Sequence, residues 1–182
     1  MLGSIKTTLF ILVFAVLLVW SVEADCLAGD MDKVNIPSVI INEIHYDPDV
    51  KTELVEFVEL HNAGTIDVDL SGWYFCDGIS YQFAPGSILP AASYIIVAQN
   101  PAAIGAKWNQ GRFKIPSHLV FGPFEGKLEN DGEKIKLCNA DGERIDEVDY
   151  KLGFPWPTVG DAVPESEPGT GHSIQLVNPF FD

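Results

Sequence analysis

The sequence predicts an all-β chain, closed as a sandwich or a barrel, with one short helix. Three observations carry that prediction. From residue 53 to 98, ELVEFVELHN followed by AGTIDVDLSGWYFCDGISYQFAPGSILPAASYIIVAQ alternates in the two-residue period of strands. Turn pairs at Ala63-Gly64, Ser71-Gly72, Asp77-Gly78 and Pro85-Gly86 cut it, so the stretch reads as one continuous meander. No helix-period segment interrupts it, and 16 Gly and 12 Pro in 182 residues suit a turn-rich protein.

Residues 1–24 have the three parts of a secretory leader. Lys6 supplies the positive start, Leu9 to Trp20 is an unbroken run of twelve apolar residues, and Val22-Glu23-Ala24 fits a cleavage site. Such a run is short for crossing a bilayer, so a signal helix removed on export is expected, with an uncleaved signal anchor as the alternative. A lipid anchor at Cys26 is disfavoured, because Glu23-Ala24-Asp25 lacks the small residues it needs. Residues 25–37 are polar and irregular and read as a linker.

The folded domain is expected over residues 38–178, with 179–182 as a tail. Val39 to Tyr46 forms the first strand, Asp47-Pro48-Asp49 turns the chain, and Leu54 to Asn62 returns as the second. Short strands follow at Asp67 to Leu70, Trp73 to Cys76 and Tyr81 to Phe83. Ser93 to Ala98 is β-branched and apolar, as a central strand should be. Asn100 is a good N-cap and Pro101 suits the first helical position, so about two turns of helix are predicted over Ala102 to Trp108. Val120-Phe121 makes a short strand. Glu133 to Cys138 and Arg144 to Tyr150 form a second hairpin around Asn139-Ala140-Asp141-Gly142, and Ser173 to Val177 is the last strand.

The net charge is −15. Removing the leader takes away Lys6 and Glu23, one of each sign, so the mature chain keeps it. Such a surface repels phosphate backbones and argues against nucleic acid as a partner. It favours solubility and the approach of cations. Contact with a membrane is expected only through an uncleaved leader.

Export permits disulfides. Cys76 and Cys138 each end a strand-like run just before a glycine-containing turn, CDG and CNADG. If those strands are neighbours the two can pair, closing a loop of about 62 residues worth roughly 4 kcal/mol on the chain-entropy account. Two buried free thiols are the competing reading. Three cysteines leave one unpaired, most simply Cys26.

In order, VIINEIHYDP…ELVEFVELHN, VDLSGWYF, FAPGSILPAASYIIVA, LENDGEKIKLCNADGERIDEVDY and GTGHSIQLVNP resemble the lamin-tail domain family, and more nearly its exported prokaryotic versions. The likeness covers about residues 38–178. It implies an immunoglobulin-like β-sandwich and an interaction or anchoring module with no catalytic residues. Its expected partner is a protein or a cell-surface polymer, placing the chain outside the cell or at its surface. The family runs further past the Asn178-Pro179 position, so a shortened closing edge and a fragment of a larger exported hydrolase or kinase-type protein are also expectations. Beside the resemblance, Trp73 sits between Gly72 and an aromatic run, where a buried sandwich Trp belongs. Gly64, Gly72, Gly78 and Gly142 sit at turns that favour positive φ or close approach.

Four features bear on chemistry. Glu43-Ile44-His45 and Glu59-Leu60-His61 are two Glu-x-His pairs, one on each strand of the first hairpin. Alternation puts Glu and His of each pair on one face, and a register with Glu43 opposite Glu59 would gather a set suited to a transition metal. A solvated polar sheet face is the plainer reading. Asp47, Asp49 and Glu53 are spaced as a hard-cation turn, with calcium as the one cofactor they suggest, although the spacing does not match the twelve-residue calcium loop. Phe154 and Trp156 stand in a predicted surface loop and Phe180-Phe181 in the tail, fit either to dock a partner or to fold back as a lid. Gly171-His172-Ser173 lacks the second glycine of a nucleophile elbow. No complete catalytic set is present.

Overall fold

A computed structural model describes residues 39–108, 115–151, 171 and 173–177. The described residues all fall in the unit Pro37–Asp182. The leader, the linker, Cys26, Phe154, Trp156, His172 and the tail lie outside the described residues.

The first sheet has five strands. β1 (Val39–His45) and β2 (Phe57–Asn62) form the expected antiparallel hairpin. β2 pairs in turn with β6 (Tyr94–Ala98). β7 (Val120–Phe121) lies parallel to β6, and β10 (Ile174–Gln175) closes the other side against β1. The order is β10-β1-β2-β6-β7. Opposite lie a three-stranded sheet, β4 (Tyr74–Asp77), β8 (Lys134–Cys138) and β9 (Arg144–Asp149), and a pair, β3 (Val68–Asp69) with β5 (Ile88–Leu89). This is an immunoglobulin-like β-sandwich. Among the described residues no helix is long and apolar enough to cross a membrane.

The core fills the space between the layers. Ile41, Ile44, Val58, Leu60, Ile95 and Val97 come from the five-stranded sheet. Leu70, Phe75, Phe83, Leu89, Ile135 and Leu137 meet them from the other side. β6 is apolar on both faces for a physical reason. Ile95 and Val97 point into the sandwich, while Ile96 and Ala98 lie under a helix on the outside. That helix, α1 (Pro101–Trp108), starts where its cap predicts: Asn100 Oδ1 accepts the N–H groups of Ala102 at 3.0 Å and Ala103 at 3.3 Å. Ile104 anchors it to the second apolar cluster with Val55 and Phe57.

Several expectations are corrected. The stretch from 53 to 98 is not one meander: its strands are shared among all three sheets, so most sequence neighbours are not ladder neighbours. Alternation reports that a residue is in a strand, not which sheet receives it. β2 starts at Phe57 rather than Leu54, and Tyr81–Phe83 makes only an isolated bridge through Gln82 to Tyr74. Trp73 is half-buried and packs on the margin of the core. It precedes β4, and its main chain is held by Leu70 and Phe83 rather than by a sheet. Gly72, Gly78 and Gly142 have positive φ, and Gly64 does not. Gly78 is also a close approach: a Cβ there would stand 2.4 Å from Ile135 Cδ1.

Cys76 and Cys138 are joined by a disulfide between β4 and β8, with Cα atoms 5.9 Å apart. The register of those strands slips at Cys76, where a bulge turns the exposed Cys76 toward its buried partner.

Candidate functional site

The outer face of the five-stranded sheet carries the site, and a single extra residue builds it. A bulge at Asn42 shifts the register between Ile41 and Glu43. Both Ile41 and Ile44 therefore face the core, and Glu43 and His45 turn outward. Across the strand pair Glu43 stands opposite Glu59, and His45 opposite Phe57. Alternation along β2 then puts Phe57, Glu59 and His61 on the same outer face.

Glu43, His45, Phe57 and Glu59, but not His61, line a half-open cleft of about 510 Å³, walled on the helix side by Trp108. Ile96 and Ile115 supply its apolar floor, and Ser173 closes it beside β10. His45 is buried and meets two rings, Phe57 at 5.2 Å and Trp108 at 5.5 Å between centroids. Phe57 and Trp108 meet edge to face at 5.9 Å. The cleft thus has an aromatic corner at one end and two carboxylates beside it.

The carboxylates are positioned by neutral donors. Asn42 Nδ2 donates to Glu59 Oε1 at 2.7 Å, and the Ser173 hydroxyl donates to Glu43 Oε1. Neither acid has a basic partner among the described residues, whereas Asp47, Asp49, Glu53, Glu129, Glu147 and Asp149 all do. Burial pushes the Glu59 carboxyl above its ordinary range, the Asn42 hydrogen bond opposes this, and the Glu43 charge adds to it.

The four residues of the two Glu-x-His pairs are not gathered at one point. Glu43 and Glu59 face each other, but His45 and His61 lie at opposite ends, four residues of strand or about 13 Å apart along β2. The His61 ring stacks on Tyr94 at 4.2 Å, and its Nδ1 lies 3.1 Å from the Ser93 carbonyl oxygen. Among the described residues no three His, Cys, Asp or Glu side chains form a metal-binding group. In the turn, lysines stand beside the expected cation ligands. Lys107 from α1 bridges Asp49 and Glu53, which lowers the Asp49 carboxyl and raises the Lys107 amine. Lys51 pairs with Asp47 Oδ1, where Asn130 also donates at 3.2 Å.

Sequence reasoning found Glu43, His45 and Glu59 and missed Trp108, Asn42 and Ser173. Trp108 was legible only as a helix end. The signal that could have found it is an aromatic side chain on the last turn of a capped helix following a strand with two apolar faces.

A family model described as Lamin Tail Domain matches residues 34–152, well over half of the chain. No curated protein matches the sequence. With the sandwich and its sheet order in place, that match is decisive for descent: the chain belongs to the lamin tail domain family.

Proposed function

We propose that the chain is an exported, non-catalytic binding module that holds a macromolecular partner at the cell surface, and that the outer cleft of the five-stranded sheet is its contact surface. One observation carries the reading. Trp108, backed edge to face by the buried Phe57, walls a half-open cleft on the outer face of the five-stranded sheet, away from the main core between the layers. Amphipathic aromatic side chains in partly open pockets are the usual anchors of protein contacts. Family membership supports a module of this kind, and the apolar run of residues 9–20 supports export.

The test is binding of the labelled, purified chain to the cell-envelope fraction of the producing organism. Saturable binding is expected, and Trp108→Ala should weaken it about tenfold or more, the cost of one aromatic anchor. Absence of saturable binding, or binding indifferent to Trp108→Ala in a folded variant, would refute the reading.

A cation-dependent binder is the second reading, and Asp47 favours it: its carboxyl is 1% exposed and Oδ2 is buried without a hydrogen bond. Calcium prefers six to eight oxygens, roughly speaking, and this turn offers its remaining carboxylates to Lys107 instead. Calorimetric titration with calcium and zinc decides it; the absence of both heat and a shift in melting temperature removes it.

A further inference from the structure

Resting on the binding reading above, we propose that the outer cleft receives the guanidinium group of an arginine side chain, presented by a basic polypeptide segment.

The carboxylates set the sign. Glu43 and Glu59 are directly opposite across β1 and β2, a placement in which like charges oppose one another. Ser173 and Asn42 each occupy one oxygen, Oε1 of Glu43 and Oε1 of Glu59. Each Oε2 has no hydrogen-bond or ion-pair partner among the described residues. Two fixed carboxylates with one unused oxygen apiece form an acceptor set that a cation carrying several N–H donors would satisfy.

The walls select the cation. A guanidinium is planar, is weakly hydrated, stacks on aromatic faces and donates from a rigid fork. The partly exposed Trp108 gives it an aromatic wall, backed by the buried Phe57, and the half-open cleft asks it to shed part of its water. An ammonium is a compact, strongly hydrated point charge and gains less from such walls. The cleft of about 510 Å³ lies within the range of sites that hold peptide side chains or small ligands.

The rest of the chain indicates what brings the arginine. A net charge of −15 attracts a polycation from a distance and repels polyanions. A basic segment of a protein satisfies both the long-range field and the local acceptors. Lys107 lies 5.7 Å from the Trp108 ring centroid but is held by Asp49 and Glu53, so it leaves the Glu43 and Glu59 carboxylates without a cation of their own among the described residues.

The experiment is an NMR titration of the isotope-labelled full chain with N-acetyl-arginine N-methylamide, its lysine counterpart and its uncharged citrulline counterpart. The arginine compound should saturably shift the Trp108 indole N–H and the Ser173 amide. The lysine compound should bind at least about fivefold more weakly, and the citrulline compound should leave both signals in place. Glu43→Gln with Glu59→Gln keeps both Oε1 acceptors and should weaken arginine binding about tenfold or more. Equal binding of arginine and citrulline, lysine binding as tightly as arginine, or no shift with any of the three overturns the proposal, and none of these needs a variant. Envelope binding that stays Trp108-dependent in the double glutamine variant sinks the arginine assignment alone. Loss of envelope binding by the unaltered chain removes the module reading itself.

Discussion

The carboxylate of Asp146 on β9 accepts the backbone N–H of Ile41 on β1 at 2.6 Å, tying together strands from the two opposed sheets. Among the described residues the last strand meets β1 at Glu43 and Ile44 and, through the Leu176 N–H, at the Asn42 carbonyl, while the N–H of Ile41 is satisfied by a side chain. The bond is buried, and Asp146 also accepts the N–H of Glu147 at 2.8 Å. Asp146→Ala leaves the Ile41 N–H buried without this acceptor, at a cost of about 2–3 kcal/mol. Asp146→Asn keeps an acceptor and should lose about half of that. Urea unfolding of the two variants beside the parent measures both; equal stability of Asp146→Ala and the parent would show that the tie contributes nothing.

The disulfide makes the second prediction. Cys76 and Cys138 close a loop of 62 residues, and closing such a loop in the unfolded chain is worth about 4 kcal/mol. Cys76 is exposed, so a reductant reaches the pair without prior unfolding. Thermal melts with and without dithiothreitol should differ by about 8–16 °C for a domain of this size. A melt unchanged by reduction, with free thiols confirmed, contradicts the entropic account.

A pair of glycines separates backbone conformation from space. Gly78 and Gly86 have similar positive φ values, 87° and 83°. A Cβ on Gly78 meets Ile135 Cδ1 at 2.4 Å and the Lys134 carbonyl oxygen at 2.9 Å, whereas one on Gly86 meets nothing within 4 Å. Gly86→Ala therefore carries only the left-handed penalty, about 1 kcal/mol, and Gly78→Ala about 3 kcal/mol. Equal costs in denaturant unfolding would mean that the β8 contact relaxes freely.

The sequence made visible what is encoded locally. Asn100-Pro101 marks the start of α1, and Asp141-Gly142 marks the β8–β9 turn, because caps and turns are chemistry within a few residues. Pairing partners are not local, which is why β3, β4 and β5 read as a meander although β3 pairs with β5 and β4 joins β8 in another sheet. The cleft depends on two such non-local facts. Strict alternation puts Ile41 and Glu43 on one face, and only the extra residue at Asn42 separates them. Trp108 reaches His45 because α1 lies across β2 and β6, a packing that period alone does not disclose.

Acid strength should write itself into stability through Glu56. Its side chain is buried, with Oε2 accepting the Leu128 N–H at 2.7 Å. Burial raises its pKa to about 7, opposed by that hydrogen bond and by Lys127 and assisted by Glu133 and Glu129. The folded value lies above the unfolded one, so the folded chain holds the proton more tightly. Stability from this group is complete below about pH 4.5 and is lost as pH rises toward 7, by about 3 kcal/mol in total. Glu59, also raised, adds a change of the same sign. The lowered carboxyls of Asp49, Asp69 and Glu147 act in the opposite sense and at more acid pH. Glu56→Gln keeps an acceptor for Leu128 and cannot ionise. Between pH 5 and 8, its unfolding free energy should therefore fall by about 2–3 kcal/mol less than that of the parent chain, read from urea curves at the two pH values. Parallel pH profiles for the two proteins would mean that Glu56 is already charged in the fold and that Lys127 and the Leu128 N–H outweigh its burial.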